Sequence, residues 1–500
     1  MDLSLVDAST VAVVEEALAA HGAGSDPAPP ATVTRRRGWR LRIYPTPAQV
    51  ATLRRWEGNL RWLWNLWCDE WHAKLEGIEH IDRETGEVTQ VRFVLPDQFA
   101  LQFSLTSIRK HHPSAAELPR QMQQAVLLAF VRACERFLKG VGPAGKPSRP
   151  PRRKRHAWAE PIAADAPDAT VHRTRAGDHV PLQMPQPTRI ELGGAADWTG
   201  PARVPVSRRG AVHWPKLGPI ACVVDNALPG EVKAVTLVEE ADGWYAVALC
   251  AAEVPRPTPA TGPVLGIDRG VVNLLADSAG RLTPHPRWGR AAEDTIARLQ
   301  RKAAGQVRGS QGWHRTVRRI ARLNLRVRRQ REAVLHTESL RIARDVGAGR
   351  WGAVAVEALQ LTAMTASARG TVEEPGTRVA QKAGLNRAML DGAHGRFEQL
   401  LTYKVTDAGG AVLRVDPAYS SQTCAACGVV DARSRRSQAE FVCVACGHTG
   451  NADVNAAQVL AQRGEQARVE AAGGAGAAGG AGQGKRPKKL RAVRKRKAGT

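Results

Sequence analysis

GPVLGIDRGVVNLLADSAG, residues 262–280, reads as two short apolar strands joined by a tight turn, with one carboxylate, Asp268, closing the first strand. Working outward, the same pattern recurs. WGAVAVEAL (351–359) is a short, nearly all-apolar strand ending in Glu357. AVLRVDPAYSSQT (411–423) is a further strand and its exit loop, and NADVNAAQVLAQRG (451–464) is a helix with Asp453 in its first turn. A lone carboxylate at a strand end is commonly a turn or cap residue. Three of them, each at the end of an apolar element, predict carboxylates clustered at one edge of a sheet. Such a cluster repels itself unless divalent cations fill the gap. Two Mg2+ ions about 3.5–4 Å apart, held by Asp268, Glu357 and Asp453, would suit phosphodiester hydrolysis: one activates water and the other steadies the leaving oxygen.

Between the last two elements lie Cys424-x2-Cys427, fifteen residues, then Cys443-x2-Cys446. This is zinc-ribbon spacing. Gly428 and Gly447, directly after each pair, permit the knuckle turn, and four thiolates make a closed tetrahedral Zn2+ site. Closed sites are structural, so this one zinc is not expected to catalyse anything. The other four cysteines (68, 134, 222 and 250) are scattered, which fits a reducing cytoplasm better than a disulfide framework.

Charge points to the partner class. The 500 residues carry a formal net charge of +25, with 57 Arg against 15 Lys. A polyanion would offset that excess, and guanidinium forks suit phosphates. The basic residues concentrate in Lys146–Arg155, in a helical region from about Ala291 to Val346, and in a tail, Lys485–Lys497, that holds nine basic and no acidic residues. At 43% hydrophobic the chain can bury real cores. It has no run of 18 apolar residues to span a membrane and no secretory pattern. Upstream, RRRGWRLRIYP (35–45) alternates like a strand, and a helix opens with Thr46 as N-cap and Pro47 at its first position. Trp56, Leu60, Leu63, Trp67 and Trp71 recur at helical spacing, for which core packing is the simpler account than base stacking. A second amphipathic helix covers Pro119–Gly140, and residues 186–255 are β-rich, with a hairpin at Asp242-Gly243, predicting a small barrel.

Together these blocks resemble the TnpB-like RNA-guided nucleases of transposons and the compact type V CRISPR effectors, over about Arg35 to Gly464. GIDRGVVNLLADSAG, AVAVEAL and the cysteine block with NADVNAAQVL correspond to three RuvC motifs and a zinc ribbon. WRLRIYPTPAQ, LPRQMQQAVLLAFVRACERFL, GKPSRPPRRKR and HWPKLG resemble the family's N-terminal blocks. The resemblance implies a multidomain α+β fold: an oligonucleotide-binding-like barrel with an inserted helical recognition lobe, then a ribonuclease H-like (RuvC) α/β domain with an inserted zinc ribbon. The expected divisions are an extension and linker (1–34), a first barrel strand (35–45), the helical recognition domain (46–145), the wedge-like barrel (146–260), the RuvC-like domain (261–416), the zinc ribbon (417–450), its last helix (451–468) and a disordered basic tail (469–500). It implies Asp268, Glu357 and Asp453 as catalytic ligands of Mg2+. The implied partners are a guide RNA and a target DNA duplex beside a short flanking motif, with one or two copies per guide. Arg269 departs from the apolar residue common there, placing a charge beside the ions where it would touch substrate gripping. The extension before Arg35 leans towards the CRISPR branch over a transposon protein. A guided protein that silences without cutting is disfavoured by the intact triad, and a DNA-only transposase by the lack of a helix-turn-helix pattern.

Overall fold

The computed structural model describes residues 32–76, 80–81, 88–90, 96–139, 150–154, 181–184, 189–192, 198–225, 228–370 and 376–474. Most of the expected extension and linker (residues 1–31), half of the Lys146–Arg155 run (146–149 and 155) and the tail from 475 lie outside them. The chain divides into two compact units: among described residues, 32–256 with 292–328, and 257–291 with 329–474.

In the first unit, β1 (Thr32–Tyr44) leads into α1 (Pro47–Glu76). Thr46 Oγ1 accepts from Gln49 N at 3.3 Å, and Gln49 Oε1 accepts from Thr46 N at 2.9 Å, a reciprocal capping box. After β2 (His80–Ile81) and β3 (Val88–Gln90) come α2 (Gln98–His111), α3 (Pro113–Glu117) and α4 (Arg120–Leu138). Trp56, Leu60, Leu63, Trp67 and Trp71 are all buried, and they share one core with Met122, Val126 and Phe130 of α4. Trp64 and Trp71 meet Phe130 edge-to-face at 5.5 and 6.4 Å, the geometry that ring quadrupoles favour. The indole stripe of α1 is core.

The remaining strands of this unit are β4 (Leu182–Met184), β5 (Ile190–Leu192), β6 (Arg209–Trp214), β7 (Gly218–Val223), β8 (Glu231–Glu240) and β9 (Gly243–Pro255). They form one antiparallel seven-stranded sheet in the order β4-β8-β9-β1-β7-β6-β5. Among the described residues its ladder runs open from β4 to β5. Glu240 pairs with Gly243 across a two-residue turn, so the hairpin turns at Ala241-Asp242, one residue before the expected pair. β1 runs along β9 from Thr32↔Pro255 to Ile43↔Trp244. The strand therefore begins three residues inside the expected linker, because the long β9 offers an edge that keeps pairing.

The second unit holds β10 (Val264–Asp268), β11 (Asn273–Asp277) and β12 (Leu282–Pro284). Helices α5 (Trp288–Ala304) and α6 (Gln311–Gly347) follow, with residues 292–328 assigned to the first unit. Then come β13 (Ala353–Glu357), α7 (Leu361–Met364), α8 (Val379–Gly392), α9 (His394–Asp407), β14 (Ala411–Val415), β15 (Glu440–Val442), β16 (Thr449–Asn451) and α10 (Ala452–Gly474). A five-stranded sheet runs β12-β11-β10-β13-β14, with β10, β13 and β14 parallel and β11 and β12 antiparallel. Every residue of β13 is buried, as expected of a central parallel strand covered on both faces.

Helix α10 lies directly on β10 because glycine lets it. A Cβ on Gly266 would stand 1.9 Å from the Ala457 carbonyl oxygen, and one on Gly464 would stand 2.7 Å from Ala355 Cβ. Further along, Glu465 accepts from Val264 N at 2.7 Å and Arg468 donates to Gly262 O at 2.7 Å. These anchors and the alanine-rich sequence carry the helix to Gly474. This corrects the expectation that order ends after residue 468, since the first six residues of the supposed tail are helical.

Candidate active site and metal centre

Asp268 and Glu357 stand at the carboxyl ends of adjacent parallel strands. The register pairs Ile267 with Val356, which sets the two acids side by side at the sheet edge. Asp453 arrives from the first turn of α10, whose start is fixed by Asn451: its Oδ1 accepts from Asp453 N at 3.0 Å and from Val454 N at 3.2 Å. The three predicted acids are thus brought together, with Glu357 and Asp453 only 9% and 4% exposed.

Their electrostatics are those of anions short of a cation. The Asp268 carboxyl is pushed up to about 7, first by burial and then by the charges of Glu357 and Asp453, against smaller relief from Arg435 and Arg269. Burial also raises Glu357, with Arg269 pulling it back. Both Asp453 oxygens are engaged: Oδ2 accepts from Asn273 Nδ2 at 2.9 Å, and Oδ1 pairs with Arg435 Nη2 at 3.0 Å. An all-oxygen set of facing carboxylates, one of them disfavoured as an anion, fits hard divalent cations. The fit is looser than at the cysteines, the only such group among the described residues whose ligand atoms all lie within 4.8 Å of one another.

Arg269 faces inward. Its side chain is 0% exposed, and it pairs inward with Glu398 and donates to the Glu357 carbonyl. The expectation of a gripping charge is corrected: the strand's exit turn carries the side chain under the sheet edge.

At the candidate metal centre, Cys424, Cys427, Cys443 and Cys446 converge, with Sγ–Sγ separations of 3.7 Å (424 to 446) and 3.6 Å (427 to 443). Gly428 and Gly447 adopt φ of 76° and 72°, and their N–H groups donate to the carbonyls of Cys424 and Cys443. Left-handed backbone is why glycine stands there. Backbone N–H groups of Cys446 and Ala445 lower the Cys443 thiol. Four sulfur donors in one tight group fit zinc.

The cysteine module is pinned to α10. Asn455 Oδ1 accepts from Ala425 N at 3.0 Å and its Nδ2 donates to Thr423 O at 2.7 Å, while Gln462 Nε2 donates to Ala425 O at 2.7 Å. Sequence reasoning missed Asn455, Arg435 and Asn273. No spacing rule marks them, since each acts through polar contacts to residues distant in the sequence. Arg435, standing between the cysteine pairs, reads in sequence as one more surface arginine.

Three family models match the chain. Residues 394–460 match "Cas12f1-like, TNB domain", residues 248–368 match "Probable transposase" (OrfB_IS605), and residues 35–74 match "Helix-turn-helix domain" (HTH_OrfB_IS605). The last stretch folds here as β1 and the uninterrupted helix α1. The chain is 34% identical over 253 residues to "Putative RNA-guided DNA endonuclease InsQ" of Escherichia coli (strain K12), covering 51% of this chain and 62% of that protein. It is 27% identical over 236 residues to "Putative RNA-guided DNA endonuclease" of Streptomyces pristinaespiralis, covering 47% and 53%. It is 32% identical over 162 residues to "CRISPR-associated endodeoxyribonuclease Cas12f1" of Sulfoacidibacillus thermotolerans, covering 32% and 34%. The chain thus spans less than two thirds of each of these relatives. No described helix is long and apolar enough to cross a membrane.

Proposed function

Starting from a chain that resembles the TnpB-like RNA-guided nucleases and compact type V effectors, we propose that it is an RNA-guided DNA endonuclease with a RuvC-like site at Asp268, Glu357 and Asp453. The observation that carries this is the convergence of three carboxylates, two of them buried, from two parallel strand ends and a helix start, with Asp268 raised to about 7. A mixed sheet with acids at the carboxyl ends of neighbouring strands suits a ribonuclease H-like reading. The antiparallel seven-stranded sheet with its packed helices supports an oligonucleotide-binding barrel and recognition lobe for guide RNA and target duplex.

In this reading Asp268, Glu357 and Asp453 are the residues that would hold two Mg2+ ions, whose chemistry when bound would be to polarise water and relieve charge at the scissile phosphate. Asn273 orients Asp453 through Oδ2, and Arg435 balances Oδ1. The zinc module, held on α10 by Asn455 and Gln462, keeps Arg435 within reach of Asp453. Duplex affinity comes from the arginines elsewhere, which contact phosphates and carry no chemistry.

Asp268→Asn tests the reading, since it keeps shape and removes charge. Target binding by gel shift should persist while cleavage of a matched duplex in Mg2+ is lost. Cleavage near the wild-type rate would overturn the assignment, and joint loss of binding and cleavage would make Asp268 structural.

A further inference from the structure

The guanidinium of Arg269 is sealed from solvent one residue after Asp268, and its contacts converge on the second acid. Nη2 donates to the main-chain carbonyl of Glu357, which also accepts from Leu359 N at 2.9 Å. Nη1 donates to Glu398 Oε2 at 2.8 Å and reaches the His394 carbonyl at 3.5 Å, both on α9. The other Glu398 oxygen accepts from Arg414 on β14, whose register partner on β13 is Val356. One rigid fork therefore ties the end of β10 to the end of β13, and both to α9.

We propose that Arg269 is a positioning residue that sets the spacing of the Asp268 and Glu357 carboxylates, with Glu398 as its anchor, and so determines divalent-cation affinity. This rests on the assignment of those carboxylates as the cation site. The geometry argues against a purely electrostatic role. A fixed positive charge beside an anionic site competes with an incoming cation, so its loss would tighten metal binding if charge were all that mattered. A tie between two ligand-bearing strand ends does the opposite, because its loss lets the carboxylates relax away from each other under their mutual repulsion. The two roles differ in sign.

The test is titration of the full-length, zinc-loaded protein with manganese(II) chloride by calorimetry, comparing wild type with Arg269→Leu, Arg269→Lys and Asp268→Asn. Arg269→Leu should weaken manganese binding about tenfold or more, the usual scale for losing a group that orients a metal ligand. Arg269→Lys keeps the charge but can make only one of the contacts, and should fall between the two. In both, the number of sites per folded chain stays that of wild type, whereas mere misfolding would lower the number and leave the affinity of the remainder unchanged. Should Arg269→Leu fail to fold, Arg269→Lys decides. Unchanged or tighter affinity in the folded variants, alongside lost binding in Asp268→Asn, overturns the positioning role alone. Wild-type binding by Asp268→Asn overturns the cation site and this proposal with it.

Discussion

Replacing Gly266 by alanine adds one methyl where the structure has least room. The new Cβ would stand 1.9 Å from the Ala457 carbonyl oxygen and 2.5 Å from Ala461 N, both backbone atoms of α10, so no side-chain rotation can relieve it. Ordinary contact begins near 3.4 Å, so strand and helix must part by about 1.5 Å. Overpacking of this kind costs about 1–3 kcal/mol. At roughly 2–4 °C per kcal/mol for a domain of this size, Tm should fall by about 2–12 °C. Asp453 sits one turn before Ala457 on the same helix and is carried away from Asp268. A displacement near 1 Å at a reacting centre costs about a hundredfold in rate. The assay pairs thermal unfolding with guided cleavage, using Gly384→Ala as control. That glycine lies in α8, where an added methyl would meet nothing within 4 Å, so the control should be neutral or stabilised by up to about 1 kcal/mol. Wild-type Tm and cleavage in Gly266→Ala would refute the claim that α10 is seated through this contact.

Cys424→Ser should release about one zinc per chain, measured by metal analysis, and lower the stability of the second unit, because metal binding energy in such modules is folding energy; zinc-free wild-type protein would contradict this. In magnesium-free buffer, stability should decline as pH rises from about 4 to 7. Asp268 holds a proton when folded, up to about 7, that the unfolded chain has already lost, so the unfolded state gains as pH rises. Urea midpoints across this range should show the slope, and Asp268→Asn should flatten it. Thr46→Ala removes half of the capping box on α1 and should cost about 1 kcal/mol by chemical denaturation, while loss of less than a few tenths would mean Gln49 alone satisfies the helix start.

Much of the site was legible because its parts are local. Asp268 and Glu357 each end an unbroken apolar run, and the cysteine spacing with its two glycines prescribes a knuckle before any tertiary contact is known. The Thr46 cap and the tryptophan stripe of α1 were readable for the same reason. What could not be read was long-range. Arg269 looked like a charge free to meet substrate, yet Glu398, over a hundred residues away, draws it inward. Arg435 and Asn455 had no pattern to betray them, since their meaning depends on α10 docking beside the cysteines. The strand start at Thr32 was hidden because its pairing is decided by the length of β9, not by its own composition.

The seating of α10 in the groove over Gly266 has a consequence for how the protein is made. Asp268 and Glu357 leave the ribosome long before Asp453, and the helix bearing the third acid is the last described element to emerge. Until it docks, β10 lacks its cover and the trio of acids is incomplete. Pairings so distant along the chain form late in folding, and domains finish as units during synthesis. A nascent or prematurely terminated chain therefore carries most of its arginines and the first two acids while the trio is still incomplete, so the order of translation itself delays the assembly of the candidate site.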